Sequence, residues 1–414
     1  MKLKYIIFFA VIFFSTNIFS QNSDFSDTEV VVPPDYEKAL ADLMSSLREN
    51  RSAFNTCKTQ AVEPIYCPDS VYIDRLQKLP YRIEMPYNSI VRAFIDRYAK
   101  SIRQVAFMAG LGEQFYFHIF ENALAKYDLP QELKYLPIIE SALNNTAVSY
   151  VGAGGLWQFM VATGKIYDLE VNSLVDERYD PAKASDAAAR YLRDLYTIYE
   201  DWHLVIAAYN CGPGNVARAV RKAGGKKSYW DIYPYLPRET RGYVPIFIAA
   251  NYIMNYYPQH NICPTKPAFA PIIDTVSITS RIHFEQIASV LNIPIEELRF
   301  LNPQYKRDII PGNIKEYHLA LPLTQVSAFY ENIDTIIAYR SEELTAKLAT
   351  VEPAGESAQS SGSGNGKLIY YKVRSGDSLG VIASRNRVTV AQLKRWNGLR
   401  SNMIHAGQKL KIYK

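Results

Sequence analysis

The stretch PQELKYLPIIESAL, residues 130–143, sets one acid in an apolar helical pattern. Intervals of three and four residues join this acid to three leucines on one helix face, in the order Leu133, Leu136, Glu140 and Leu143. Pro137 predicts a kink or a fresh helix start just before the acid. Desolvation raises a carboxyl pKa, and a protonated Glu140 suits a general acid that donates to a glycosidic oxygen. Periodicity alone leaves open a helix-end glutamate whose carboxylate lies in water.

Two later motifs are candidates to complete a sugar-cleaving site around this acid. In GAGGLWQFM, residues 152–160, glycine lets the backbone approach a bound chain closely, and Gln158 offers both a donor and an acceptor. In AAYNCGPG, residues 207–214, Tyr209 and Asn210 are candidates to hold a sugar ring and its acetamido group. The second motif lacks the Lys-Ser/Thr ending and the preceding strand of a phosphate loop, so nucleotide binding is not predicted.

We interpret five other residues in or near these motifs as structural rather than catalytic. Trp157 is assigned to core packing rather than to a sugar platform. Asp176 and Arg178 are interpreted as an ion pair, and Asp180 as part of a helix start, rather than as a second catalytic acid. Cys211 is interpreted as a small buried residue.

The N-terminus predicts export. Lys2 and Lys4 precede an apolar run, residues 5–14, and small polar residues follow up to residue 20, the order of a secretory signal peptide. A membrane helix would need about 20 apolar residues, and Ser15 to Asn17 interrupt this run. The expected location is therefore the periplasm or cell envelope. No cysteine lies near the cleavage point, so no lipid anchor is expected.

The cysteine, histidine and charge patterns indicate which disulfides, metals and binding partners to expect. In an exported chain Cys57 and Cys67 are candidates for a disulfide. The six histidines lack i, i+4 pairing, so neither a metal site nor a cofactor is expected. The net charge is +5, yet residues 367–414 carry eleven Lys/Arg and one acid. Such a tail favours an anionic polymer or peripheral contact with a membrane surface. Export makes nucleic acid the least favoured partner, so none is expected, and protein partners are not predicted.

The chain divides into a helical part and a repeated part. At 414 residues, 48% of them apolar, it is long enough for two to four globular domains. Residues 34–114 and 115–262 show helical periodicity, and residues 353–366 form a Gly/Ser-rich linker. Positions in residues 367–414 repeat positions in residues 272–325 at a constant offset of 95, which predicts two small βααβ modules. The matched pairs are Phe284/Leu379, Ile287/Ile382, Ala288/Ala383, Leu298/Leu393, Asn302/Asn397 and Gly312/Gly407.

Taken together, these motifs resemble the lytic transglycosylases of the soluble, goose-lysozyme-like type, closest to the membrane-bound murein transglycosylase D group. The resemblance runs from about residue 129 to 257 and includes a last motif, ETRGYVP, at residues 239–245. It implies a mainly α lysozyme-like catalytic domain. The repeated modules resemble LysM domains, the second closely. The first has Ser280-Arg281-Ile282-His283 where the second has Ser375-Gly376-Asp377-Ser378, so its role is left open between glycan binding and structure.

The resemblance implies cleavage of the MurNAc–GlcNAc β-1,4 bond of peptidoglycan. Glu140 would act alone, first as acid and then as base, leaving a 1,6-anhydro ring without consuming water. The implied cleft residues are Ser141, Ser149, Gly155, Gln158, Tyr209, Asn210 and Tyr243. The implied glycan-binding residues of the LysM domain are Gly376, Asp377, Ser378, Leu379 and Asn397.

Two alternatives stay open at this stage. One is a hydrolytic muramidase, which would position a water, usually with a second carboxylate. The other is a non-catalytic wall-binding protein. The sequence leaves endo versus exo cleavage, dependence on crosslinks and oligomeric state undecided.

Overall fold

The computed structural model describes residues 63–80, 82–265, 269 and 272–346, and in the C-terminal part 368–373, 382, 386, 388, 390–397, 399 and 407–413. The predicted signal peptide, the start of the N-terminal helical region and the linker lie outside these residues. The described residues up to 346 belong to one compact unit and those from 368 to another. In the described ranges, no helix has both the length and the apolar character to cross a membrane.

Helices dominate the first part of the chain, as the periodicity predicts. The α-helices are α1 Asp69–Lys78, α2 Ser89–Lys100, α3 Ile102–Leu111, α4 Phe117–Lys126, α5 Leu136–Ser141, α6 Val161–Ile166, α7 Pro181–Tyr199, α8 Trp202–Cys211, α9 Pro213–Lys222, α10 Tyr229–Ile232, α11 Arg238–Arg241 and α12 Tyr243–Tyr256. A π turn, Gly112–Tyr116, joins α3 to α4, and 3₁₀ turns lie at Gln131–Tyr135, Tyr233–Tyr235 and Tyr257–His260.

The core of this helical part forms around α12. Every residue of α12 from Tyr243 to Met254 is buried, which is typical of a helix that is apolar around its whole circumference. Helix α2 packs along it, while α7 lies between α4 and α8. Asp180 caps α7 by accepting from the backbone N–H groups of Ala182 and Lys183, both at 2.9 Å, so its predicted role at a helix start is confirmed.

The first repeated module has the predicted βααβ order with two extra short strands. Its elements are β1 Ile273–Ile278, β2 Arg281–His283, α13 Phe284–Leu291, α14 Ile295–Leu301, β3 Ile309–Pro311 and β4 Tyr317–Pro322. Strands β1 and β4 pair antiparallel, with Ile273 opposite Pro322, and β2 pairs antiparallel with β3.

This module extends beyond the predicted end at residue 325. Three further helices follow, α15 Val326–Glu331, α16 Ile333–Ala338 and α17 Ser341–Ala346. Phe329 and Ile336 are fully buried in the core of the module. The Gln286 amide donates to the carbonyls of Ile336 and Tyr339, both at 3.0 Å. The matched positions of the repeat end at Gly312, so the repeat carried no information about these helices.

The C-terminal unit pairs β5 Leu368–Lys372 antiparallel with β6 Lys409–Tyr413, and α18 Val390–Asn397 packs on β6. The Asn397 amide donates to the carbonyls of Leu393 and Lys411, both at 2.8 Å, and accepts from the Lys411 N–H at 2.6 Å. Its amide therefore ties helix to strand, and its contact with a glycan stays a prediction.

Asn302, the repeat equivalent of Asn397, makes the same three bonds. It donates to Leu298 O at 3.1 Å and to Ala320 O at 2.8 Å, and it accepts from Ala320 N at 2.7 Å. An amide suits this position because it supplies a donor and an acceptor together. The other predicted LysM contacts, Gly376, Asp377, Ser378 and Leu379, lie outside the described residues.

The predicted Cys57–Cys67 bridge is wrong. Cys67 is a free thiol near the Arg75 guanidinium, while Cys263 is disulfide-bonded. Proximity in sequence was the only basis for that pairing, and disulfide geometry depends on the folded positions of the two Cβ atoms.

Candidate active site

Glu140 lies near the end of a short helix that starts where Pro137 predicts. A 3₁₀ turn, Gln131–Tyr135, gives way to α5, and Pro137 occupies its first turn. The chain leaves α5 through Ala142 and Leu143, both in the left-handed region with φ of 52° and 64°. Leu133 and Leu143 therefore lie outside α5, so the prediction that one helix face carries all four residues is wrong. The apolar setting is confirmed, because all three leucines of the pattern are fully buried.

The environment of Glu140 favours its protonated form. Desolvation raises the pKa of this carboxyl to about 7, although the Tyr243 hydroxyl, which donates to Oε1, lowers it. Burial and the nearby Glu140 carboxyl raise the pKa of Tyr243 well above its usual value, so the phenol stays a donor. No salt bridge to Glu140 occurs within the described part of the chain. The expectation of a desolvated acid is confirmed.

A cleft of about 1090 Å³, including the solvent at its mouth, opens over Glu140. Among the described residues that line it, Glu140 is the only acid. The lining consists of Glu140, Ser149, Val151, Ala153, Gln158, Phe159, Met160, Thr163, Tyr191, Tyr209, Asn210, Cys211 and Gly212.

Four of the seven predicted cleft residues line this space: Ser149, Gln158, Tyr209 and Asn210. Several of their polar atoms are already held by protein. The Gln158 amide donates to Gly155 O at 2.8 Å, and the Tyr209 hydroxyl donates to Trp157 O at 2.8 Å. The Asn210 Oδ1 accepts from the Thr240 hydroxyl at 2.9 Å. These bonds fix the side chains before a ligand arrives.

The other three predicted cleft residues do not line it. Ser141 is fully buried and donates to the carbonyls of Pro137 and Leu156 at 3.0 Å, so it joins α5 to the glycine-rich segment. Tyr243 is buried behind Glu140 and reaches only the carboxyl. These two residues and Gly155 all belong to motifs, and a motif does not distinguish a residue that contacts the ligand from one that supports such a residue.

Gly155 is the third predicted cleft residue that does not line the cleft, and only glycine fits its position. It has φ +78°, and a Cβ there would lie 2.0 Å from the Arg178 carbonyl oxygen. The Arg178 side chain also holds this segment, because its Nη1 donates to Gly152 O at 2.8 Å and to Phe159 O at 2.9 Å. Asp176 fixes the guanidinium with two bonds of 2.9 and 2.8 Å, which confirms the predicted ion pair.

The first repeated module supports the same ion pair. Asp176 N donates to Gln304 O at 2.9 Å, and Lys306 N donates to Leu174 O at 2.7 Å. The Lys306 ammonium lies 3.4 Å from the Asp176 carboxylate. A continuous set of contacts therefore runs from this module through Asp176 and Arg178 to the wall of the cleft. Sequence reasoning found the ion pair and missed what it holds.

Two aromatic side chains and a thiol lie in or behind the walls of the cleft. Trp157 is buried and donates to the Ser185 hydroxyl at 2.9 Å, so its core role is confirmed. Tyr191 was missed; it lies on α7, outside every motif, with its ring 5.4 Å from that of Tyr209. Cys211 is a free, partly exposed thiol that lines the cleft rather than a buried residue, and burial of part of it raises its pKa.

Comparisons with known proteins match three segments of the chain. Residues 117–232 match the transglycosylase SLT domain, residues 272–338 the LysM-like domain of lytic transglycosylase MltD, and residues 371–412 the LysM domain. Membrane-bound lytic murein transglycosylase D of Escherichia coli K12 is 28% identical over 335 residues, 80% of this chain and 70% of that protein.

Solved structures of two lytic transglycosylases match part of the chain. The 70-kDa soluble enzyme of Escherichia coli is 26% identical, with a TM-score of 0.32, over 41% of this chain and 28% of that one. Slt of Pseudomonas aeruginosa is 21% identical, with a TM-score of 0.30, over 37% and 26%. The chain thus spans little more than a quarter of these two proteins. The chain therefore carries a transglycosylase SLT domain followed by two LysM-type modules, and it is homologous to membrane-bound lytic murein transglycosylase D of Escherichia coli.

Proposed function

We propose that this chain is a peptidoglycan lytic transglycosylase that cleaves the MurNAc–GlcNAc β-1,4 bond and leaves 1,6-anhydro-MurNAc ends. It is a carbon–oxygen lyase acting on a polysaccharide. The observation that carries the proposal is a lone acid, Glu140, with a pKa raised to about 7, in a cleft whose described lining holds no second carboxylate. A hydrolase that retains or inverts configuration uses two carboxylates in most families.

Glu140 supplies both proton transfers in this mechanism. Its protonated carboxyl donates to the glycosidic oxygen as the bond from C1 breaks. The substrate N-acetyl group assists at C1 as an internal nucleophile. The carboxylate of Glu140 then takes the proton from the C6 hydroxyl as that oxygen bonds to C1 and displaces the acetamido oxygen, so the acid is regenerated and no water is consumed. A positioned acid/base of this kind contributes roughly 10²–10⁴-fold in rate.

Tyr243 and the remaining cleft residues prepare the site. Tyr243 orients the carboxyl through its hydrogen bond, and Ser149, Gln158 and Asn210 offer polar groups to the glycan. The C-terminal LysM domain binds peptidoglycan and tethers the enzyme to it. Export to the periplasm or cell envelope by the N-terminal signal sequence, and peripheral membrane contact of the basic tail, are part of the same proposal.

Digestion of purified sacculi tests the proposal. Wild-type protein should release anhydro-muropeptides, Glu140→Gln should release none, and Glu200→Gln, an exposed acid at the end of α7, should behave as wild type. Mass spectrometry identifies the products. Products heavier by one water would indicate a muramidase, binding without release by the wild type would indicate a wall-binding protein, and activity of Glu140→Gln would overturn the mechanism.

A further inference from the structure

Large apolar side chains are exposed on the chain segments that line the cleft. Tyr150 is 95% exposed, Val151 66% and Met160 44%, and the last two line the cleft with Glu140. Exposed apolar residues scattered singly need no explanation, whereas a group beside a polar cleft marks a binding surface. We call these three residues the apolar lip.

The backbone holds the lip in one conformation. Val148 and Gly154 form an antiparallel bridge, and the three residues 150–152 turn the chain between Ser149 and Ala153. Ser149 N donates to Ala153 O at 2.9 Å, and Gly152 N donates to Ser149 O at 2.9 Å. Gly152 has φ +86°, the left-handed position that ends such a three-residue hairpin loop.

Arg178 fixes both sides of the lip at once. One nitrogen, Nη1, donates to the carbonyls of Gly152 and Phe159, the residues that follow Val151 and precede Met160. The backbone of the lip is therefore held before any ligand binds, and a ligand that contacts it spends little free energy on ordering that backbone. The Tyr150 side chain at the tip of this loop is 95% exposed, so most of its surface is open to a ligand.

We propose that the apolar lip is an outer sugar subsite that extends the cleft beyond the bond being cleaved, with Tyr150 as its main contact. This inference rests on the proposed function. A pyranose ring has an apolar C–H face that packs on an aromatic ring, while its hydroxyl groups reach polar atoms such as those of Ser149 and Gln158. Even with the neighbouring exposed Val148 and Val161, the patch has only five apolar side chains, far fewer than the roughly 20–30 residues on each side of a stable protein interface. Tyr150 is then a specificity-determining residue that selects long glycan strands.

Kinetics on peptide-free glycan strands of graded length test the proposal. For strands long enough to reach the lip, Tyr150→Ala should raise KM about tenfold, equivalent to about 1.4 kcal/mol, with kcat unchanged. Tyr150→Phe keeps the ring and should behave as wild type. Tyr330→Ala is the matched control, since this tyrosine is 55% exposed and does not line the cleft. The shortest cleaved oligosaccharides should show no effect of Tyr150→Ala.

Each remaining outcome overturns the inference. An unchanged KM of Tyr150→Ala on long strands would do so, and so would an equal loss on short and long strands. A loss seen only on strands that carry stem peptides would assign the lip to peptide rather than sugar. Glu140→Gln is measured in parallel: if the wild type is active, Glu140→Gln inactive and Tyr150→Ala normal, this inference alone fails. A wild type that yields no anhydro product overturns the proposed function and the subsite together.

Discussion

Replacing Tyr243 by Phe should move the pH profile of this enzyme toward higher pH. The Tyr243 hydroxyl donates to the Glu140 carboxyl and lowers its pKa against the larger effect of desolvation, which leaves the value at about 7. Without the donor only desolvation remains, so the pKa rises further. The general acid must be protonated to donate, so the rate falls as pH rises through this pKa, and the falling limb should move upward.

The size of the shift follows from the bond that is lost. A hydrogen bond to a charged group contributes about 1.5–3 kcal/mol, and 1.36 kcal/mol corresponds to one pKa unit, so a shift of roughly one to two units is expected. The assay is kcat/KM for a glycan strand from pH 5 to pH 9, since this quantity reports the pKa of the free enzyme. The limb should lie near pH 7 in the wild type and at about pH 8 or above in the variant.

A buried tyrosine elsewhere provides the control. Tyr229 is as buried as Tyr243, but its hydroxyl donates to Arg241 O at 2.6 Å rather than to the acid. Tyr229→Phe should leave the limb in place even if it lowers stability. A limb that stays near pH 7 in Tyr243→Phe, or moves to lower pH, would refute the account of how Glu140 is kept protonated.

Two further predictions concern stability. Glu140 has a folded-state pKa of about 7 against an ordinary 4.5, so between these values the folded protein binds one more proton than the unfolded chain and loses stability as pH rises. Glu140→Gln should therefore stabilise the fold by about 1–3 kcal/mol at pH 8 and little at pH 4. Equal effects at both pH values in denaturation experiments would contradict this. Gly155→Ala should destabilise the fold by about 2–5 kcal/mol, because the new Cβ would meet the Arg178 backbone and the residue has a left-handed conformation. Gly152→Ala, whose Cβ would have nothing within 4 Å, should lose only the conformational cost of about 1–2 kcal/mol. Equal losses of stability in the two variants would rule out the clash.

Local pattern was enough for the features that depend on neighbours in the chain. The apolar setting of Glu140, the fresh helix start at Pro137, the cap at Asp180 and the Asp176–Arg178 pair all involve residues within a few positions of each other. The repeat also predicted the order of helices and strands in the first module. These features follow from helical periodicity and short-range hydrogen bonding, which are properties of a short segment of chain.

Only the tertiary structure decided which residues meet. Tyr243 reaches Glu140 across 103 positions, Tyr191 enters the cleft from outside every motif, and Ser141 points into the core although it adjoins the acid. The state of Cys67 and the helix-to-strand role of Asn397 were equally invisible in the sequence. Distances between segments remote in the chain depend on how whole helices pack around α12, and one sequence carries no direct record of that packing.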